Sequence, residues 1–302
     1  SFSIGLLVSY LAYATQFYNP LRQLATLWAS FQVAMAGWDR ISQILSLNTN
    51  LAVAENISEK PDSTAVVEFR NVHFGYTEGR EILHNINLQL QKGKTYAFVG
   101  PTGGGKTTTA SLIARLYDPT SGTILLNGKN LRAYQPEALS KKLGFILQEP
   151  FLFTGTVQDN ILYGNEQYRH YSNEQLREVI KEAGLESLLT IFENGLLTNV
   201  SSGGESISLG QKQLIAFVRA VLRNPDILIL DEATANIDTG TEQLLEEILN
   251  KLPAHTTRII IAHRLNTIRN ADEIFFVNAG EITRAGSFNE AIDKLLNDKR
   301  VS

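Results

Sequence analysis

A short apolar run, Thr95–Val99, leads into Gly100, Pro101, Thr102, Gly103, Gly104, Gly105, Lys106 and Thr107, and a helical pattern continues from Lys106 to Leu116. This run constrains the chain more than any other feature. A strand feeding a glycine loop that ends in Lys-Thr and opens a helix is built to hold polyphosphate. The glycines let backbone N–H groups turn inward around phosphate oxygens, and the helix N-terminus adds a dipole that favours an anion. Lys106 is placed to reach the β- and γ-phosphates, and Thr107 to offer its hydroxyl to Mg²⁺. A flexible Gly-rich turn would need none of the strand, the lysine and the threonine in this order.

A second apolar run, Ile227–Leu230, ends in Asp231 and Glu232. Carboxylates at the C-terminal edge of a strand stand where an α/β sheet presents its ligands. Asp231 would hold Mg²⁺, directly or through water. Glu232, one residue on, could polarise an attacking water as general base. An isolated Asp-Glu after a strand is ordinarily a solvated turn; the cradle upstream is what gives this pair its meaning. Gln148 follows Leu143–Leu147 and His263 follows Arg258–Ile261. Taken alone, each reads as a cap or a packing residue.

The rest of the chain from Ala65 onward alternates strand and helix patterns, which argues for an α/β domain with a parallel sheet. Strands are expected at Val66–Phe69, Thr95–Val99, Leu143–Leu147, Ile227–Leu230, Arg258–Ile261 and Glu273–Val277. Several are unbroken apolar runs, as for strands buried on both faces. Helices are expected at Lys106–Leu116, Glu174–Ala183, Gly210–Leu222, Thr241–Leu249 and Asn289–Leu296.

The N-terminal stretch differs. Between Ser1 and Trp38 the only charge is Arg22, and two apolar segments, Ile4–Phe17 and Leu24–Trp38, flank Asn19-Pro20. Each is close to, or short of, the ~20 residues a membrane span needs. Scattered Ser, Thr, Tyr and Gln suit a helix that faces other helices; a long buried helix in a soluble bundle fits the pattern equally. Residues 48–64 are polar, include Pro61, and read as a linker. The chain begins at Ser1 and its one methionine is Met35, so it reads as part of a longer or processed product. No basic segment precedes the apolar start, so no signal peptide is expected. Cysteine is absent, which excludes disulfides and thiolate metal sites. A net charge of −4 gives no electrostatic footprint for nucleic acid.

Taken in order, Gly100–Thr107, Gln148, Ser208–Gln211, Asp231-Glu232 and His263 resemble the motif set of ABC ATPase domains, and the likeness covers nearly all of Val66–Gly286. The resemblance implies a P-loop NTPase of ABC type, with a mixed sheet core and a helical subdomain, preceded by a long apolar helix. It implies that Tyr76 stacks on adenine and that Gln148 contacts Mg²⁺ or water and faces a transmembrane domain. It further implies that Ala235–Asp238 crosses a dimer interface, that His263 senses the γ-phosphate, and that Thr108 joins the nucleotide contacts. Phe151–Phe153 and Thr156–Asn160 look like the exporter branch, and Asn19–Leu24 looks like part of the last transmembrane helix of an exporter half. The domains implied are residues 1–46, that membrane remnant; 47–64, a linker; and 65–302, the nucleotide-binding domain. The expected location is the inner (plasma) membrane, with the ATPase domain on the cytoplasmic side. Most of a transport pathway would lie outside these residues, so the resemblance implies no particular transported substrate.

The chain departs from the family at the signature, Leu-Ser-Gly-Gly-Gln, which touches the partner subunit's ATP. Ile207, Ser208, Leu209, Gly210 and Gln211 occupy these positions, so the middle glycine is Leu209. Leucine there adds bulk and is expected to block some backbone conformations. Ser202-Gly203-Gly204 resembles the signature but lies six residues too early, and the exporter pattern carries a glutamate where Ser202 stands. An intact cradle beside an altered signature resembles a heterodimeric exporter with one degenerate site; the alternative is a homodimer that tolerates Leu209. A soluble ABC ATPase acting on DNA would carry a long coiled coil, but Gln148 to Ser208 spans only 60 positions without sustained heptads.

Overall fold

A computed structural model describes residues 3–47, 51, 53–54, 65–77, 79–201, 204, 206–231, 239–261, 270–286 and 290. The chain divides into two compact units, Ser1–Ala52 and Val53–Ser302.

The first unit is one helix, Ile4–Leu45, that carries Pro20 in its interior. Ser3 caps it, its hydroxyl accepting from the Leu6 N–H at 3.2 Å. The two apolar segments are therefore one continuous element of about 63 Å at 1.5 Å per residue. None of its residues is buried, and Trp28, Phe31, Leu24 and Trp38 are all exposed. Among the described residues no helix is long and apolar enough to cross a membrane. The expected long apolar helix is thus corrected in its second term: Asn19, Arg22, Gln23, Ser30 and Gln32 recur too often for a sustained apolar window.

In the second unit a six-stranded sheet runs in the order Glu281–Arg284, Glu273–Asn278, Thr95–Val99, Thr257–Ile261, Ile227–Asp231, Leu143–Ile146. The five strands from Glu273–Asn278 onward are parallel, and Glu281–Arg284 pairs antiparallel at one edge, which makes the sheet mixed. Unbroken apolar runs produce these strands because helices or a second sheet cover both faces; Thr95–Val99 and Ile227–Asp231 are buried throughout. The second sheet is antiparallel: Leu83–Gln91, Ala65–Phe74, Ser121–Leu126 and Lys129–Asn130.

Two apolar cores result. One joins the antiparallel sheet to Tyr96, Phe98, Leu112 and Ile259. The other joins Ala97, Val99, Leu228 and Leu230 to a helical layer that includes Leu176, Ile180, Leu214 and Phe217. That layer contains the helices Val157–Leu162, Asn173–Glu182 and Leu209–Val221. Thr239–Lys251 contributes Leu245 and Ile248 to the same core.

Register fixes the site. The strand Thr257–Ile261 lies between Thr95–Val99 and Ile227–Asp231, with Ile261 opposite both Phe98 and Asp231. The glycine loop and the Asp231 carboxylate therefore emerge at the same sheet edge, one strand apart.

Candidate nucleotide site

The helix that follows the glycine loop runs Lys106–Ile113, shorter than the sequence pattern suggests, because Arg115 takes a left-handed φ of 52°. Gly100 leaves the strand at φ 145°, and a methyl group there would overlap the Val277 carbonyl oxygen. At Gly104 a Cβ would stand 2.6 Å from the same oxygen, and the Gly104 carbonyl accepts from Gly280 N–H at 3.2 Å. The end of the neighbouring strand Glu273–Asn278, with the turn at Gly280, thus presses on the back of the loop, and only glycine allows that approach. Gly100→Ala is expected to cost several kcal/mol, by overlap with backbone and by strain at a φ that L-residues avoid. Thermal unfolding with and without Mg·ATP checks it: the variant should melt lower and lose most of the nucleotide-induced shift.

Lys106 is buried, and its Nζ donates to the carbonyls of Gly100 at 3.0 Å and Pro101 at 2.9 Å. The ammonium is held over the mouth of the loop. The exposed Thr107 hydroxyl donates to Asp231 Oδ1 at 3.4 Å, across 124 positions of sequence. A hydroxyl and a buried carboxylate at one sheet edge are hard oxygen donors of the kind Mg²⁺ takes, and a glycine loop that carries a buried lysine and opens a helix fits polyphosphate. Tyr76 is half exposed, and its hydroxyl lies 3.3 Å from the Thr108 hydroxyl.

Gln148 is exposed in the loop after Leu143–Ile146. Its carbonyl accepts from Gln213 Nε2 at 3.0 Å, and Gln213 is fully buried in the helix Leu209–Val221. Beside it lies a groove of about 280 Å³ walled by Leu147, Phe151, Phe153, Tyr163 and Arg219. Buried Asn160 braces its rim, accepting from Phe153 N–H and donating to the Phe153 and Thr156 carbonyls at 2.8–3.0 Å. Arg219 donates from Nε to the Asn160 carbonyl at 2.7 Å. Burial, with help from nearby Arg223, pulls the Arg219 guanidinium down to about 10, which leaves it charged at neutral pH.

Ser208 caps the helix Leu209–Val221 in a reciprocal box with Gln211: Gln211 N–H donates to Ser208 Oγ at 3.2 Å and Ser208 N–H donates to Gln211 Oε1 at 2.9 Å. Gln211 Nε2 also donates to the Ile191 carbonyl. Among the described residues these two side chains bond to the helix start and to Ile191, and not to the phosphate loop. Gly210 is buried where a Cβ would meet Thr241 at 3.2 Å. Leu209 is the first residue of the helix and is not among the positive-φ residues. The expected backbone penalty at Leu209 is therefore corrected: its conformation suits any L-residue, and what differs from glycine is the side chain, half-buried against the second core.

The sequence pattern alone does not single out Gln213 and Val277, whose contacts depend on which loop lies beside them. A glutamine two positions after Gln211, on the apolar side of a helix, was the available signal for the first. Glu232, His263, the segment Ala235–Asp238, Ser202 and nearly all of the expected helix Asn289–Leu296 lie outside the described residues.

The comparisons agree with this geometry. A family model described as ABC transporter matches residues 83–235. An uncharacterized ABC transporter ATP-binding protein of Bacillus subtilis, YfiC, is 41% identical over 290 residues, covering 96% of this chain and 48% of that protein. A fatty acid ABC transporter ATP-binding/permease protein of Mycobacterium tuberculosis is 37% identical over 290 residues, covering 96% of this chain and 45% of the relative. A solved bacterial Atm1-family ABC exporter with ATP bound superimposes with a TM-score of 0.74 at 33% identity, over 98% of this chain and 51% of the exporter. The chain spans about half the length of the curated relatives it matches. On the family match and the phosphate loop together, the chain belongs to the ABC transporter family.

Proposed function

We propose that this chain binds and hydrolyses ATP to drive export across the inner membrane, as the engine of one half of an exporter. The observation that carries this reading is the meeting of Lys106, Thr107 and Asp231 at one sheet edge. Support for export comes from the relatives, which combine ATP-binding and permease parts or are exporters. In this reading residues 1–46 are the last helix of a membrane domain, 47–64 a linker and 65–302 the nucleotide-binding domain on the cytoplasmic side. The many exposed aromatic and aliphatic side chains of Ile4–Leu45 need neighbouring helices to cover them. The aromatic groove beside Gln148 is where a segment of the membrane domain would transmit movement.

In the proposed reaction water attacks the γ-phosphorus in line, the new P–O bond forming as the bond to the β–γ bridging oxygen breaks and ADP leaves. Glu232 orients or deprotonates that water, and His263 holds the γ-phosphate. Lys106 and the loop N–H groups stabilise the charge that develops. Thr107, Asp231 and Gln148 would hold Mg²⁺, which when bound neutralises phosphate charge. Tyr76 stacks on adenine, and Ser208, Gly210 and Gln211 face the ATP of the opposite subunit.

The finer proposal is a heterodimer. Cα–Cβ bonds in a helix lean toward its N-terminus, so the Leu209 side chain leans toward the helix end that a partner's phosphate would approach. A partner with an intact signature would complete the site built on Lys106 and Glu232; the site completed by Leu209 would turn over poorly. A homodimer is the second reading, favoured by the unstrained backbone at Leu209.

Fractionation tests the exporter reading. The complete protein should resist extraction from membranes by carbonate and need detergent, and its Mg·ATP hydrolysis should fall to background in Lys106→Ala. Full activity in a detergent-free soluble fraction would instead favour an ABC ATPase acting on nucleic acid.

A further inference from the structure

Tyr76 stands in a loop that is sewn to the segment following the phosphate-loop helix. Gly75 N–H donates to the Thr120 hydroxyl at 3.3 Å, and Thr120 N–H donates to the His73 carbonyl at 2.9 Å. Between these bonds lies a cluster of three rings. Tyr117 meets Tyr76 edge-on, centroids 5.0 Å apart and planes at 81°, and Phe74 meets Tyr76 at 5.0 Å and 84°. Phe74 and Tyr117 touch each other at 5.7 Å. Phe74 is buried, whereas Tyr76 and Tyr117 are each nearly half exposed. The Tyr76 hydroxyl is tied in turn to Thr108, in the first turn of the helix that begins at Lys106.

Phe74 lies in a strand whose fold needs it buried whatever the loop does. Tyr117 has no such reason to be aromatic. It lies outside any helix or strand, its ring is exposed, and the rings it meets are Phe74 and Tyr76. Its backbone is fixed independently: Leu116 N–H donates to the Ser111 carbonyl, and Asp118 is gripped by Arg115 at 3.3 Å and Arg132 at 3.4 Å. A segment held by these bonds therefore sets an aromatic ring nearly perpendicular to Tyr76, the ring read as stacking on a nucleobase.

We infer that Tyr117 is a positioning residue: it sets the plane and height of the Tyr76 ring relative to the phosphate cradle, and so sets the affinity for the base without touching the phosphates. The inference rests on the reading that Tyr76 stacks on adenine. Its consequence is a separation of ligands. Loss of the Tyr117 ring weakens binding of a nucleotide with a base and leaves binding of a bare polyphosphate unchanged.

The test is calorimetric titration of the complete chain in detergent with Mg·ATP and with Mg·tripolyphosphate. Tyr117→Ala should weaken ATP binding by roughly three- to tenfold, the scale of one aromatic pair, and leave tripolyphosphate binding within twofold. Tyr117→Phe, which keeps the ring, should restore ATP binding. If Tyr117→Ala does not fold, Tyr117→Leu keeps the apolar bulk without the ring edge and should show the same selective loss. Tyr76→Ala separates the two layers of the argument. Should it weaken ATP binding while Tyr117→Ala and Tyr117→Leu do not, Tyr117 has no positioning role and the stacking reading stands. If Tyr76→Ala also binds ATP as wild type, the stacking reading fails and takes the inference with it. Equal weakening for ATP and tripolyphosphate would make Tyr117 a support of the cradle and overturn the inference.

Discussion

Glu232→Gln should lower the ATP turnover of this chain, paired with whatever half completes its site, by roughly 10²–10⁴-fold, the usual worth of a positioned general base. The dissociation constant for Mg·ATP should stay within about twofold. Glutamine has nearly the shape of glutamate and can still hydrogen-bond to a water, but it cannot take its proton. On the proposed reading, ground-state binding rests on Lys106, the loop N–H groups and the Thr107–Asp231 pair, which the substitution leaves in place. Single-turnover hydrolysis and equilibrium binding on the same preparation separate the two quantities. Asp231→Asn is the contrast. It removes the carboxylate proposed to hold Mg²⁺, so the Mg²⁺ dependence of binding should shift as well as the rate. If Glu232→Gln hydrolyses at the wild-type rate, Glu232 is not the base and another group must activate the water.

The strands that lead into the phosphate loop and into Asp231 were legible because they are buried on both faces. Such strands read as unbroken apolar runs, and Thr95–Val99 begins and ends where the sequence places it. Ile227–Asp231 and Thr257–Ile261 extend the expected runs by one residue each. The strand Leu83–Gln91 was not read. Its alternation is real, with Ile86, Leu88 and Leu90 buried, but left-handed Asn85 (φ 48°) breaks the period where the strand begins. The six-residue helix Val157–Leu162 escaped for another reason. Its capping box, Thr156 with Asp159, is present in the sequence, yet too few turns follow to show a helical period. At the site, the limit is tertiary. Nothing near Gln213 in sequence announces that its amide will hold the Gln148 carbonyl, 65 positions away. The reading of Leu209 shows the same limit in reverse: a leucine for a glycine suggested backbone strain, but the position opens a helix, where glycine is the costlier residue.

Leu209→Gly should raise the ATPase activity of this chain alone by about ten- to a hundredfold, with a rate that climbs steeply with protein concentration. The reasoning is geometric. Two copies would pair head to tail, each cradle facing the other's Ser208–Gln211 segment. In such a wild-type pair both signatures would carry Leu209, whose Cβ leans toward the helix N-terminus, so on the proposed reading neither site would close fully. Glycine removes that bulk and lets the helix-end N–H groups approach a γ-phosphate, the kind of preorganised contact whose loss costs about 10²–10³ in rate. The substitution also has a folding cost of about 1 kcal/mol for glycine in the first turn, plus the packing of the half-buried leucine. Melting temperature should therefore fall while activity rises, a combination that no general stabilisation could produce. Second-order concentration dependence would show that the signature alone disables self-pairing, and a partner half with an intact signature should then be sought. If wild type is already fast and Leu209→Gly changes little, the inward packing of Leu209 has cleared the phosphate path, and the exporter is a homodimer.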